Sequence, residues 1–79
     1  MFTFQSRWKE ELVCTTPEGS FVLTLTMGVL TAHLPTKLAW FDKAPDWAKN
    51  LWPILYEDLV IWCEPANAKL LIDDNAWID

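Results

Sequence analysis

The side chains best suited to chemistry are two cysteines and one histidine, which lie far apart in the sequence. Cys14, His33 and Cys63, with a carboxylate such as Asp42, contain the ligand types that zinc prefers. Structural zinc sites usually take their ligands in closely spaced pairs, and these spacings match no such pattern. Nothing nearby would activate either thiol as a nucleophile. We therefore expect reduced cysteines, a partly exposed histidine, and no metal or cofactor.

Adjacent acidic residues are the other candidates for catalysis. The pairs Glu57-Asp58 and Asp73-Asp74 are direct neighbours, and neighbours on a helix point about 100° apart. Their spacing therefore does not create a carboxylate dyad. The sequence also lacks a glycine-rich phosphate loop and the Gly-x-Ser-x-Gly, His-Glu-x-x-His and Cys-x-x-Cys motifs. This composition favours a non-enzymatic protein.

The charge of the chain is concentrated in its second half. Residues 1–41 carry three acidic and three basic side chains, whereas residues 42–79 carry eight acidic and three basic ones, which accounts for the net charge of −5. Such a charge argues against direct nucleic-acid binding through phosphate contacts. The six tryptophans do not change this conclusion, because base-stacking platforms need a basic groove beside the aromatic rings.

These acidic residues predict a surface that contacts a basic protein partner, because carboxylates bind the same Lys and Arg side chains as phosphates do. In length, acidity and lack of catalytic motifs, the chain resembles the small inhibitors that bacteriophages make against restriction and CRISPR nucleases. The resemblance implies nucleic-acid mimicry or a steric block of a host nuclease or RNA-guided complex. The predicted contact set consists of acidic side chains and two tryptophan anchors: Glu57, Asp58, Glu64, Asp73, Asp74, Asp79, Trp40 and Trp47.

A structural or assembly module is the alternative function. In this interpretation the tryptophans form a homo-oligomer or hetero-oligomer interface, a homodimer included, and the negative charge keeps the protein soluble. No apolar stretch typical of a secretory signal precedes Arg7. The longest uncharged segment, residues 19–36, is too polar to span a bilayer. We expect a cytoplasmic protein, in the host cell if phage-encoded, with one globular domain over residues 1–79.

The first half of the chain predicts β-structure. Residues 11–16 are followed by a turn at residues 17–20, where proline and glycine favour chain reversal. Residues 21–27 then alternate between apolar and more polar side chains, which predicts the second strand of a hairpin. The alternation at residues 2–5 predicts a third strand. Residues 27–34 fit either a strand continued through a bulge at Gly28 or a short helix capped by Thr26.

The second half predicts mainly helix. Prolines favour the first turn of a helix and are excluded from its interior, so we predict two segments, at residues 45–51 and 53–63, with Pro65 after the second. The second segment is apolar on most sides, which predicts burial on several faces. A buried strand over residues 59–63 is the competing interpretation.

The tail predicts a short strand and an acidic turn, after which Trp77 and Ile78 return to the core. The order of elements predicts an α+β fold: a small single domain with an N-terminal antiparallel β-hairpin or meander, one or two helices, and a short C-terminal strand, all in one antiparallel sheet.

Overall fold

The computed structural model describes residues 2–7 and 10–79. Within these residues the chain forms a five-stranded sheet, two α-helices and a 3-10 helix, an arrangement that confirms the predicted α+β class. The elements in chain order are β1 (Thr3–Arg7), β2 (Glu11–Thr16), β3 (Gly19–Thr26), β4 (Thr31–Leu34), α1 (Lys37–Lys43), the 3-10 helix (Asp46–Leu51), α2 (Trp52–Cys63) and β5 (Lys69–Ile72).

The predicted β2–β3 hairpin and the predicted strand near the N-terminus are both confirmed. The β1, β2 and β3 strands pair antiparallel in succession. The hydroxyl of Thr16 closes the β2–β3 turn: its Oγ1 accepts the Glu18 N–H at 3.2 Å and donates to the Gly19 carbonyl at 3.3 Å. A Cβ at position 19 would lie 2.9 Å from Cζ2 of Trp47, so glycine allows this tryptophan to pack closely on the strand.

Residues 27–34 form neither a bulged continuation of β3 nor a helix. The β3 strand ends at Thr26, residues 27–30 reverse the chain, and β4 pairs antiparallel with the end of β3, with Thr26 opposite Thr31. The strand interpretation is therefore right for residues 31–34, while the bulge at Gly28 and the helix capped by Thr26 are wrong. The reversal lets Ala32 and Leu34 occupy buried positions beside the buried Leu25.

The sequence predicted a purely antiparallel sheet, but the sheet is mixed. Its order is β1-β2-β3-β4-β5, and β5 pairs parallel with β4. A parallel neighbour requires a crossover connection, and the three helical segments between β4 and β5 provide it. Ile78 reaches the core and pairs with Leu23. Trp77 instead remains 70% exposed, because adjacent residues in extended chain point to opposite sides.

The helices cover one face of the sheet and enclose an aromatic core. The rings of Phe21 and Trp40 meet edge to face at 5.2 Å, and Nε1 of Trp40 donates to the carbonyl of Ala48 at 3.0 Å. Leu55 and Leu59 add fully buried side chains from α2. This packing positions α2 across the sheet with one face toward the core.

Three helical segments replace the two that the sequence predicts. The unpredicted α1 begins after Thr36, whose Oγ1 accepts the Ala39 N–H at 3.3 Å. The predicted helix at residues 45–51 is a 3-10 helix over Asp46–Leu51. The predicted helix at residues 53–63 is confirmed as α2, so the competing strand over residues 59–63 is wrong.

Candidate protein-binding surface

Proline residues set the limits of α2. Pro53 lies in its first turn, where a missing N–H costs no helical hydrogen bond. Pro65 follows the C-terminal end, where a further helical turn would be blocked. Inside these limits, Leu55, Leu59 and Cys63 recur every four residues and are buried against the sheet. These three residues form the inner face of α2.

The opposite side of the helix is also largely apolar, although it faces solvent. Ile61 is 68% exposed, and Ile54, Tyr56 and Val60 are between 37% and 42% exposed. The prediction that α2 is buried on several faces is therefore wrong for the isolated chain. We define the outer face of α2 as these four side chains together with two exposed glutamates: Ile54, Tyr56, Glu57, Val60, Ile61 and Glu64.

The two glutamates lie between the apolar side chains. Glu57 and Glu64 are seven residues apart, which is close to two helical turns, so both project from the middle of the outer face. Tyr56 and Val60, separated by four residues, flank them on one side, and Ile54 and Ile61 flank them on the other. Each carboxylate is thus exposed beside apolar side chains.

The carboxylates of Glu57 and Glu64 have no basic side chain beside them in α2. No Lys or Arg occurs in α2, and in the described part of the chain neither Glu57 nor Glu64 forms an ion pair. Glu64 is the C-cap of α2, and the negative end of the helix dipole disfavours an anion there. A cation brought by a partner would therefore interact favourably with this end of the helix.

Two depressions give the outer face its shape. Tyr56, Glu57, Val60 and Ile61 line a shallow one of about 340 Å³. Ile61 also borders a neighbouring groove of about 450 Å³ between α2 and the start of β1, where the rings of Phe4 and Trp62 lie 6.0 Å apart. The shared Ile61 joins the two depressions into one surface that can accept apolar side chains.

The other predicted acidic residues lie outside the outer face of α2, although Asp58 lines the groove beside β1. Asp58 turns toward β1, where its Oδ2 accepts the Phe2 N–H at 2.9 Å. Asp74 accepts a hydrogen bond from the Thr36 hydroxyl at the start of α1. The backbone N–H of Asp79 donates a hydrogen bond to the Val22 carbonyl of β3 at 2.9 Å. The predicted acidic set is thus divided among different elements, and only Glu57 and Glu64 lie on the outer face.

Asp73 and the predicted tryptophan anchors also have local structural contacts. The Oδ1 atom of Asp73 accepts the Asn75 N–H at 3.0 Å in the turn after β5. Trp40 is completely buried, so the prediction of a surface anchor at this position is wrong. Trp47 is half-buried, with its ring 6.0 Å from that of Phe21. Aromatic packing in the core accounts for both side chains.

Most of the described tryptophans, which the assembly interpretation assigns to an interface, pack in or against the core. Of the five tryptophans within the described residues, Trp40 is buried and Trp47, Trp52 and Trp62 are packed against the core. Nε1 of Trp52 donates to the Pro35 carbonyl at 2.9 Å. Trp77 is the exposed member of this set. Most of the described tryptophan surface therefore serves the core.

The thiols and the histidine lie on opposite sides of the sheet. Cys14 and Cys63 are free and buried, and burial raises the pKa of both thiols. His33 is opposite Thr24 on the face away from the helices, and its Nε2 lies 2.7 Å from Oγ1 of Thr26. Among the described residues, no group of three or more His, Cys, Asp or Glu side chains is arranged to hold a metal ion.

Sequence reasoning missed the four apolar residues of the outer face. The predicted helix over residues 53–63 has no polar side, which indicates that it is buried but does not say whether this chain or another protein covers it.

Comparison of the chain with protein-family models, curated proteins and solved structures found no match. In the described part of the chain, no helix has both the length and the apolar character needed to cross a membrane.

Proposed function

We propose that this protein is a non-enzymatic binding module whose α2 outer face docks a basic, amphipathic segment of a partner protein. One observation carries the proposal: Glu57 and Glu64 are exposed between apolar side chains, and neither has an ion pair in the described part of the chain. Burial of the apolar flanks would supply affinity, and the carboxylates would select a partner with matching cations.

The chemistry of the surface defines the partner. A segment with Lys or Arg along its centre and apolar side chains on both flanks would place a cation near each glutamate. The groove beside Ile61 would receive a large apolar anchor, as expected for the centre of a protein interface. A cation near Glu64 would also offset the unfavourable interaction of this carboxylate with the helix end.

The more specific proposal is that the partner is a nucleic-acid-binding protein and that docking inhibits it. The net charge of −5 supports this proposal, because an acidic protein is attracted to the surfaces that attract phosphates. The outer face would occupy such a surface in the cytoplasm, that of the host cell if a phage encodes the chain. The protein would then inhibit its partner by occupying the nucleic-acid-binding surface, without catalysing any reaction.

The docking proposal can be tested with two synthetic 18-residue helical peptides that differ only in charge. Both carry leucines on either side of a central polar row, and this row is lysine in one peptide and glutamate in the other. We expect the lysine peptide to bind, with backbone NMR shifts concentrated on residues 54–64, and the glutamate peptide not to bind. The affinity should fall as salt is raised, because exposed charges are screened.

Amide variants identify the role of the carboxylates. Glu57→Gln combined with Glu64→Gln should weaken binding of the lysine peptide about tenfold, which corresponds to about 1.4 kcal/mol. Asp42→Asn removes one exposed charge outside α2 and is the matched control, with an expected change below about twofold. Equal binding by the double variant and the unaltered protein would refute the docking proposal.

Inhibition requires a separate test with a partner captured from cell lysate. We expect this partner to bind nucleic acid and to release it when the protein is added in excess, whereas the Glu57→Gln/Glu64→Gln variant should displace much less. A captured partner without nucleic-acid affinity would refute inhibition by mimicry while leaving peptide docking intact.

A further inference from the structure

We propose that β5 pairs antiparallel with β5 of a second copy of this chain, so that two sheets join across a two-fold axis at Leu71. This inference goes beyond the proposed function, since it uses the edge of the sheet rather than the outer face of α2. The strand order β1-β2-β3-β4-β5 places β5 at one end of the sheet, where no other described strand pairs with its outer side.

The backbone of β5 has outward-facing hydrogen-bonding groups. Lys69 donates its N–H to the Leu30 carbonyl at 2.8 Å, and Asp73 donates to the Leu34 carbonyl at 2.9 Å. Because strand residues alternate in direction, positions 69, 71 and 73 point their backbone groups toward β4. The N–H and C=O groups of Leu70 and Ile72 therefore point away from the sheet. No described residue accepts a hydrogen bond from either N–H.

The side chains of β5 are unusual for an edge that remains in water. Leu71 is 46% exposed and Ile72 is 40% exposed, whereas natural edge strands are commonly protected by charge, proline or a bulge. β5 has one charged residue, Lys69, followed by three apolar ones, whereas the opposite edge, β1, is polar except for Phe4 and includes Arg7, which forms an ion pair with Glu11 at 3.5 Å. Self-association is therefore favoured at β5 over β1.

The sequence of β5 is complementary to itself in one register. If Leu71 lies opposite Leu71 of the second copy, Leu70 lies opposite Ile72, and their outward backbone groups form the hydrogen-bonded pairs. The same register places Lys69 opposite Asp73, and the two-fold axis repeats this pair of opposite charges. Lys69, Leu71 and Asp73 share one face of the sheet, because they are separated by two residues.

The charges also select this register over its neighbours. The turn uses Oδ1 of Asp73 for the Asn75 N–H, which leaves Oδ2 available to a lysine of the second copy. Moving the axis to Leu70 or Ile72 would place Lys69 or Asp73 opposite Leu71 instead. Opposite charges across antiparallel strands contribute about 0.2–1 kcal/mol per pair relative to alanine pairs. The interface is isologous and closes as a dimer.

Sedimentation velocity over about 10 µM to about 1 mM protein tests the inference. We expect a monomer–dimer equilibrium, and Leu71→Lys should weaken it at least about tenfold, because it places two cations together at the axis. Ile61→Lys is the matched control, since Ile61 is also an exposed apolar residue but borders β1. The control should dimerise normally and lose peptide binding, whereas Leu71→Lys should show the reverse pattern.

Charge exchange tests the register itself. Lys69→Glu and Asp73→Lys should each be monomeric over this range, because each creates like-charge pairs across the axis. An equimolar mixture of the two variants should form a heterodimer, since every cross-strand pair then has opposite charges. Circular dichroism verifies that each variant is folded. A monomeric unaltered protein at about 1 mM, or a Leu71→Lys variant that dimerises normally, would overturn the proposal.

Discussion

The two faces of α2 differ little in hydrophobicity and greatly in environment. The inner face, Leu55, Leu59 and Cys63, is between 0% and 5% exposed, whereas Ile61 on the outer face is 68% exposed. The inner residues face a sheet of matching apolar side chains, and the outer residues face water within this chain. The two faces show that an apolar side chain favours burial, but that tertiary contacts determine which apolar side chains are buried.

The largest expected difference between the faces concerns stability. Leu59→Ala should lower the free energy of unfolding by about 2–5 kcal/mol, because it leaves a cavity against the sheet. Ile61→Ala should lower it by less than about 0.5 kcal/mol, since solvent already surrounds this side chain. Urea unfolding followed by tryptophan fluorescence measures both changes. Similar losses from the two variants would contradict the division into inner and outer faces.

The buried thiols predict a pH dependence that the solvent-exposed outer face lacks. Burial raises the pKa of the Cys14 thiol, so the folded protein keeps it protonated while the unfolded chain ionises it near its ordinary pKa. The free energy of unfolding should therefore be unaffected by this group at neutral pH and should fall as pH rises above about 9. The maximum slope is about 1.4 kcal/mol per pH unit for one thiol.

The check compares urea unfolding at about pH 8 and about pH 10 for the unaltered protein and for Cys14→Ala. The alanine variant is less stable at both values, but its loss between them should be smaller because one titrating thiol is absent. An identical loss in both proteins would show that burial of Cys14 does not contribute to alkaline destabilisation.

A small stability change of the opposite sign is expected at the C-terminal end of α2. Glu64→Gln should raise the free energy of unfolding by about 0.3–1 kcal/mol, because it removes an anion from the negative end of α2. The same variant should weaken binding of the lysine peptide. Asp46→Asn, at the N-terminal turn of the 3-10 helix, is the control with reversed polarity and should not stabilise the protein. A Glu64→Gln variant that is both less stable and fully competent in binding would contradict a docking role.

Local patterns in the sequence were sufficient for several elements. The alternation around residues 17–20 predicted the β2–β3 hairpin, because turn residues and strand periodicity act over a few positions. Pro53 and Pro65 similarly predicted the extent of α2. A proline has no backbone N–H and cannot extend a helix beyond its first turn, so both prolines limit α2 although the residues before them, Trp52 and Glu64, have helical backbone angles.

Other features depended on contacts between distant segments. The prediction omitted α1, although Thr36 provides a cap, because a seven-residue helix gains most of its stability from packing. The parallel direction of β5 follows from the crossover above the sheet, which the apolar residues of β5 alone do not specify. The sequence placed Asp58 and Asp74 in one acidic surface. In the structure, Asp58 accepts a hydrogen bond beside β1 and Asp74 accepts one at the start of α1.

The sequence by itself determined the α+β class, the hairpin, the limits of α2 and the concentration of negative charge in residues 42–79. These properties follow from composition or from interactions within a few residues. The tertiary structure decided which apolar residues lie inside and which acidic residues lie together. Trp40 is buried while Ile61 is exposed, because burial depends on the packing of helices against a sheet assembled from the whole chain.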